Sequence, residues 1–303
     1  MAFGTVLFAN AGADNAVDDV IAQARRADEL GVGQVWVAQQ FDHDAIGLAG
    51  LIGAAVPGLE VGTSAVPFNP RHPLTLASQA QTAQAAAHGN FRLGLALGAH
   101  DIERSSFGIS PPNTIARLRE YLSILRAVFD DGAVDFHGAE FTASPSWPVT
   151  LAGGSPVPVY VAAMGPKALQ VTGELADGTL PYLAGPRTIA EFIEPTLSKA
   201  AADAGRPTPR ITAFVPALLS DDAQAARAAT EEQLSFYAKI PSYQRVIARE
   251  GIDNLADLAA VGDADAIRRT VQSYLDAGAT DVVLSPVDRT GPDERLWELA
   301  GSL

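Results

Sequence analysis

Ala27-Asp-Glu-Leu-Gly-Val-Gly-Gln-Val-Trp-Val37 decides how the rest of the chain is read. Its first half closes a segment, residues 17–30, in which apolar and small side chains recur at helical spacing. Arg25, Arg26, Asp28 and Glu29 fall on the other faces. Gly31 stops that helix, because the left-handed conformation that ends many helices is easiest for glycine. Gln34-Val-Trp-Val-Ala38 then forms a short, mostly apolar strand. The same order of helix end, glycine and strand returns in Tyr274-Leu-Asp-Ala-Gly-Ala-Thr-Asp-Val-Val-Leu284. A unit repeated near both ends of a chain predicts an alternating βα architecture.

Working outward, the alternation holds. Strands are expected at residues 3–8, 34–38, 59–66, 91–97, 159–163, 178–180, 210–219 and 281–285. Helices are expected at 17–30, 45–55, from Pro73 to about 87, and from an Asn113 cap through Phe129. Further helices fit 166–175, 188–204, the stretch after Asp221 to 236, and the stretch after Asp263 to 277. Two short helical pieces fit 243–250 and 255–259. The rhythm breaks at about 130–157, where Asp131-Gly132, His137-Gly138 and a Pro-, Ser- and Trp-containing stretch suit a small hairpin.

Strands that read as continuous apolar runs are buried on both faces. Eight of them, each covered by helices, predict an α/β fold: a (β/α)8 TIM barrel in one domain, residues 1–303, with a hairpin insertion between helix 4 and strand 5. A doubly wound open sheet is the alternative. Its dinucleotide form would place Gly-x-Gly-x-x-Gly after the first strand, where this chain has Asn10-Ala-Gly-Ala-Asp14.

Composition excludes several functions. The net charge is −14, and no cluster of Lys and Arg offers a nucleic-acid face. The same acidity disfavours anionic membranes, and no apolar run is long enough to span one. With no cysteine there is no disulfide, thiolate nucleophile or cysteine-held zinc or iron–sulfur centre. Met1 to Phe8 reads as a first strand, not as a signal peptide, so a cytoplasmic protein is expected.

In such a barrel, chemistry belongs at the carboxyl ends of the strands. That rule nominates Gln39, Gln40, Phe41, Asp42 and His43 after strand 2, and Thr63, Ser64, Ala65 and residues 67–73 after strand 3. Gly98, Ala99, His100 and Asp101 follow strand 4, Pro181 and Tyr182 follow strand 6, and residues 285–289 follow strand 8. After strand 5 comes Pro158-Val-Tyr-Val-Ala-Ala-Met-Gly-Pro-Lys-Ala-Leu169, a strand, a sharp turn and a helix start carrying a lysine. Free N–H groups at a helix start attract anions, so a phosphate could sit against Gly165, Pro166 and Lys167; an ordinary turn with a surface lysine is the plainer alternative.

Of the five histidines, His43, His72 and His100 reach the rim, His88 falls at the opposite end and His137 in the hairpin. Their spacing matches no metal motif, and no Gly-x-Ser-x-Gly elbow or P-loop is present. A rim of Gln, Ser, Thr, Asn and aromatic residues suits a large planar cofactor that brings its own chemistry.

Taken in order, several stretches resemble the luciferase-like monooxygenase superfamily, in its bacterial F420-dependent branch. They are residues 27–37, Val61-Gly-Thr-Ser-Ala-Val-Pro67 with Arg71-His-Pro73, Leu93-Gly-Leu-Ala-Leu-Gly98, Arg119-Glu-Tyr-Leu122, and residues 158–169 with Glu174-Leu-Ala-Asp-Gly178. The resemblance implies a barrel with an insertion and coenzyme F420, or alternatively FMN, at the carboxyl ends of the strands. It implies a non-proline cis peptide at Ser64-Ala65 backing the ring, and Gly165, Pro166 and Lys167 on the tail phosphate.

On that basis the cofactor-binding set is Gln39, Gln40, Thr63, Ser64, Ala65, Asn69, Gly98, Ala163, Met164, Gly165, Pro166 and Lys167, with no metal. Gln39, Gln40 and Asn69 are expected at the polar edge of the ring. Several relatives carry an acid and a histidine where this chain has Gln39 and Gln40, and glutamine cannot trade protons. Reduction of an activated C=C or C=N bond by F420H2 is therefore expected, with His100, then His43, as proton donor. The alternatives are an FMN-dependent monooxygenase and a cofactor-less binding protein. A small-molecule substrate and a homodimer complete the expectation.

Overall fold

The computed structural model describes residues 3–98, 100–109 and 113–303, and for His100 the backbone alone. The strands are β1 (Phe3–Leu7), β2 (Gln34–Val37), β3 (Glu60–Thr63), β4 (Val66–Pro67), β5 (Phe91–Ala96), β6 (Phe136–His137), β7 (Thr142–Ala143), β8 (Val159–Ala162), β9 (Gly178–Thr179), β10 (Arg210–Leu219), β11 (Ala260–Gly262) and β12 (Asp281–Pro286). β1, β2, β3, β5, β8, β9, β10 and β12 pair in that order, all parallel, and β12 returns to β1 through Phe3↔Val282. The eight-stranded barrel is closed, as the alternation of the sequence requires.

Alternation along each strand sorts the core. In β2, Val35 and Val37 face the helices, whereas Trp36 points into the barrel with Val6, Tyr160, Leu180, Phe214 and Val283. The Trp36 ring meets Phe214 and Tyr160 edge-on, at 5.3 and 6.2 Å between centroids. Room for that indole depends on Gly62, where a Cβ would lie 2.4 Å from the ring. Charge closes the amino-terminal end of the barrel. Arg92 Nη2 donates to Glu60 Oε2 at 2.7 Å, and Arg210 grips the buried Asp281.

The elements depart from expectation in a few places. The cis peptide expected at Ser64-Ala65 is present; the departure is that it splits the third strand, after which β4 pairs with β5. Asn113 does not cap the Thr114–Arg126 helix; its Nδ2 donates to Glu140 Oε1 at 3.3 Å. The helix expected from after Asp221 to 236 is shorter, Ala223–Leu234, and is capped by Asp222. β11 and the helices His100–Phe107 and Glu294–Gly301 were not foreseen. Each is too short for its periodicity to stand out.

The insertion is a two-stranded hairpin, β6 with β7. It is clamped to the Thr114–Arg126 helix by one carboxylate: Glu120 accepts from the N–H groups of Ala139, Glu140 and Phe141, each at 2.9 Å. No helix among the described residues is long and apolar enough to cross a membrane.

Candidate active site

Two confluent cavities open at the carboxyl ends of the strands. The larger, about 860 Å³, runs from Gln40 and Ala96 past Gly98, Glu103 and Ile115 to Met164–Ala168. The smaller, about 330 Å³, lies deeper over Ser64 and Ala65, with Phe8, Tyr182, Ser285 and Arg289 around it. Gln40, Ala96, Ala162, Tyr237 and Tyr243 line both and mark their junction. The combined space is of the size that encloses a cofactor and a small substrate.

The anticipated phosphate turn lines the larger cavity. Gly165 precedes the Pro166–Leu175 helix without a side-chain cap, which leaves the first-turn N–H groups to whatever occupies the cavity. Nothing lies within 4 Å of where a Cβ on Gly165 would be, so an anion could approach the backbone closely. Proline at the first helical position removes a donor that would be orphaned in any case. Lys167 is exposed and adds its charge at the same place.

The two glutamines after β2 divide their work. Gln39 Nε2 donates to the carbonyls of Gln40 and His43, each at 2.6 Å, and its Oε1 accepts from Ala45 N and Arg71 Nη2. Gln39 lines the larger cavity, as expected of a rim residue, but its amide is committed to holding its own loop. Gln40 stands at the junction, and its side chain makes no hydrogen bond among the described residues.

Other expected residues lie elsewhere. Thr63 lines neither cavity: its buried hydroxyl donates to Gly94 O at 3.0 Å and accepts from Gly94 N at 2.9 Å, tying β3 to β5 where the ladder thins. Asn69 also lies behind the wall, donating through Nδ2 to both Glu103 oxygens and accepting from Arg117 Nε at 3.2 Å. Ala163 is fully buried in the outer core, because alternation turns it away from the barrel. His43 pairs with Asp42 at 2.7 Å and is absent from both linings, its loop having carried it outward. His100 opens the His100–Phe107 helix, and its side chain lies outside the described residues. Ser64, Ala65, Gly98, Met164, Gly165, Pro166 and Lys167 all line the cavities as expected.

Several wall residues escaped the sequence. Glu103 is 2% exposed, and its carboxylate lies between Asn69 and Gly98. Ile102 and Phe107 form an apolar lip with Phe41, whose ring lies 5.8 Å from that of Phe107. Tyr237 and Tyr243 come from the long excursion after β10. The rule that βα-loops build the site would have included that excursion, but no motif marks its tyrosines. Burial pushes the phenols of Tyr182 and Tyr243 well above the usual tyrosine range, and neighbouring Tyr237 adds to both shifts.

Among the described residues no group of three or more His, Asp or Glu side chains is placed to hold a metal.

The sequence matches the luciferase-like monooxygenase family over residues 1–283. It is 26% identical to the F420-dependent glucose-6-phosphate dehydrogenase of Kineococcus radiotolerans over 286 residues, spanning 86% of this chain and 84% of that protein. The solved coenzyme F420-dependent tetrahydromethanopterin reductase from Methanopyrus kandleri superposes with a TM-score of 0.83 at 21% identity, covering 99% of this chain and 97% of that one. The oxygenating constituent of 3,6-diketocamphane monooxygenase from Pseudomonas putida, in complex with FMN, superposes with a TM-score of 0.76 at 17% identity, covering 99% and 97%. Those two structures share the barrel fold with this chain.

Proposed function

The chain belongs to the luciferase-like monooxygenase family, and from that premise we propose that it is an F420-dependent oxidoreductase acting on a small organic substrate with an activated C=C or C=N bond. The observation that carries this reading is the continuity of the two cavities, from the Ser64-Ala65 bulge to the Gly165–Lys167 turn. The residues present fit the cofactor: Ser64 and Ala65 in the wall of the smaller cavity to back a planar ring, an unpartnered amide on Gln40, and an uncapped helix start with Lys167 for the tail phosphate. When bound, the reduced deazaflavin would supply a hydride at its ring.

The chain's own residues favour reduction. Taking hydride from an alcohol requires a base to remove the hydroxyl proton. Gln40 at the junction cannot be that base, and the buried phenols of Tyr182 and Tyr243 hold their protons tightly. Of the residues lining the larger cavity, Glu103 and Lys167 carry charge, and the rest are mostly apolar. With Lys167 on the tail phosphate, an uncharged acceptor is favoured over a sugar phosphate.

The reading includes one domain over residues 1–303, a cytoplasmic location and a homodimer. The Ala45–Ala55 helix carries no charge on any face, and Leu51 on it remains 51% exposed, which supports a covered surface. Titration of the cofactor-free protein with F420 and with FMN, followed by protein fluorescence, tests the cofactor. Tight FMN binding without F420 binding would replace this reading with a flavin monooxygenase. Failure to bind either would favour a cofactor-less binding protein.

A further inference from the structure

The tyrosines at the junction of the cavities form a packed trio. Tyr237 meets Tyr182 and Tyr243 edge-on, at 5.4 and 5.5 Å between centroids, and Tyr182 lies 6.4 Å from Tyr243. Leu183, Leu234, Val246, Leu255 and Leu258 back the trio and fix the rings. Such packing leaves the phenol oxygens as the adjustable polar points of an otherwise apolar wall.

Their oxygens are not equivalent. The Tyr182 and Tyr237 phenols act on one another, Tyr237 helping to raise Tyr182 above the usual tyrosine range. The Tyr243 hydroxyl makes no hydrogen bond among the described residues, although its ring lines both cavities. Among the described side chains, the competing groups are otherwise engaged. Glu103 is turned onto Asn69, Arg289 lies over the Phe8 ring at 4.5 Å, and Lys167 stands at the phosphate turn. His43 lines neither cavity.

We propose that the Tyr243 hydroxyl gives the substrate the proton that completes its reduction, with the Tyr182–Tyr237 pair holding the Tyr243 ring in place. The assignment rests on the reading of the cavities as a deazaflavin site beside an acceptor site. For an enone the balance is simple. Hydride enters at the β-carbon, and the π pair moves onto the α-carbon and its carbonyl. The phenol O–H bond breaks as the carbonyl oxygen, to which it is hydrogen-bonded, gains the proton, and the enol so formed becomes the ketone in water. The tyrosinate recovers a proton from water. The substrate has then gained two electrons and two hydrogens, and one reduced deazaflavin has been oxidised by two electrons.

A phenol kept protonated by burial remains a donor across the neutral range, whereas a histidine donor loses its proton above about pH 6.5. Among the described residues, the titratable and charged groups facing the cavities with Tyr243 are Tyr182, Tyr237, Glu103, Lys167 and Arg289. The rate of proton transfer should therefore be flat between about pH 6 and 8.5.

The test compares Tyr243→Phe with the parent protein, using 3-methylcyclohex-2-enone as probe. Phenylalanine keeps the ring, and thermal denaturation checks that the fold is retained. Without cofactor, the variant should bind the enone about 3- to 10-fold more weakly by fluorescence quenching, the loss of one hydrogen bond. With F420H2, the variant should reduce the enone about 100-fold or more slowly than the parent. Unchanged enone affinity would overturn the assignment whether or not F420 binds. So would the parental rate in the variant. Absence of F420 binding by the parent would instead sink the proposed function and leave the enone-binding arm to judge Tyr243.

Discussion

A Cβ on Gly98 would lie 2.1 Å from Glu103 Oε1, and Gly98 itself has a φ of +87°. Backbone and carboxylate thus occupy space that any other residue would claim. Gly98→Ala is expected to destabilise the protein by about 1–2 kcal/mol from the positive φ alone. It should also push Glu103 off Asn69, narrowing the larger cavity. Thermal denaturation reads the first effect and cofactor titration the second; an unshifted melting temperature would mean that the loop simply yields.

Lys167→Ala should weaken F420 binding by about 1.5–3 kcal/mol, the range of a charge-assisted hydrogen bond to phosphate. Turnover at saturating cofactor should barely change, because the turn at Gly165 lies in the larger cavity, away from the Ser64-Ala65 bulge. A change within about 0.5 kcal/mol, typical of a surface lysine, would refute the phosphate contact.

The two adjacent glutamines should separate cleanly. Gln39→Ala removes four hydrogen bonds that hold the segment from Gln40 to Ala45 and Arg71. It should cost about 1–3 kcal/mol of stability in urea denaturation. Gln40→Ala should leave stability within about 0.5 kcal/mol and weaken cofactor binding instead. Equal behaviour of the two variants in both measurements would contradict the division of labour.

Asp281→Ala should be among the costliest single changes at the amino-terminal end of the barrel. The carboxylate is 2% exposed, and Arg210 and Thr280 both donate to it. Breaking one partner of a buried pair costs about 3–5 kcal/mol; half-exposed Arg210 should bring the loss toward the lower end. Urea denaturation measures it, and a loss below about 1 kcal/mol would show that water replaces the carboxylate. Cofactor affinity should be unaffected in the protein that remains folded.

Much of the fold was legible because its determinants are local. The helix end, Gly31 and the apolar run of β2 lie within eleven residues, and the echo at 274–284 repeats them. The Gly165-Pro166-Lys167 turn was legible for the same reason: strand, turn and helix start are contiguous. Polar commitments were less visible. Nothing adjacent to Thr63 or Asn69 announces that Gly94, Glu103 and Arg117 will use their side chains.

The amino-acid order by itself therefore determined the alternation, the closed barrel and the end of it where chemistry belongs, since periodicity and glycine placement act over one or two turns of chain. Tertiary structure alone decided which rim residues face the cavities. Gln39 and Gln40 are neighbours in sequence, yet one amide is bound inside its loop and the other stands at the junction. Tyr182 and Tyr243 lie on separate segments and become one wall only when the excursion after β10 folds over the barrel mouth. The physical reason is that side-chain partnership depends on contacts between residues distant along the chain, and those exist only once the barrel has closed.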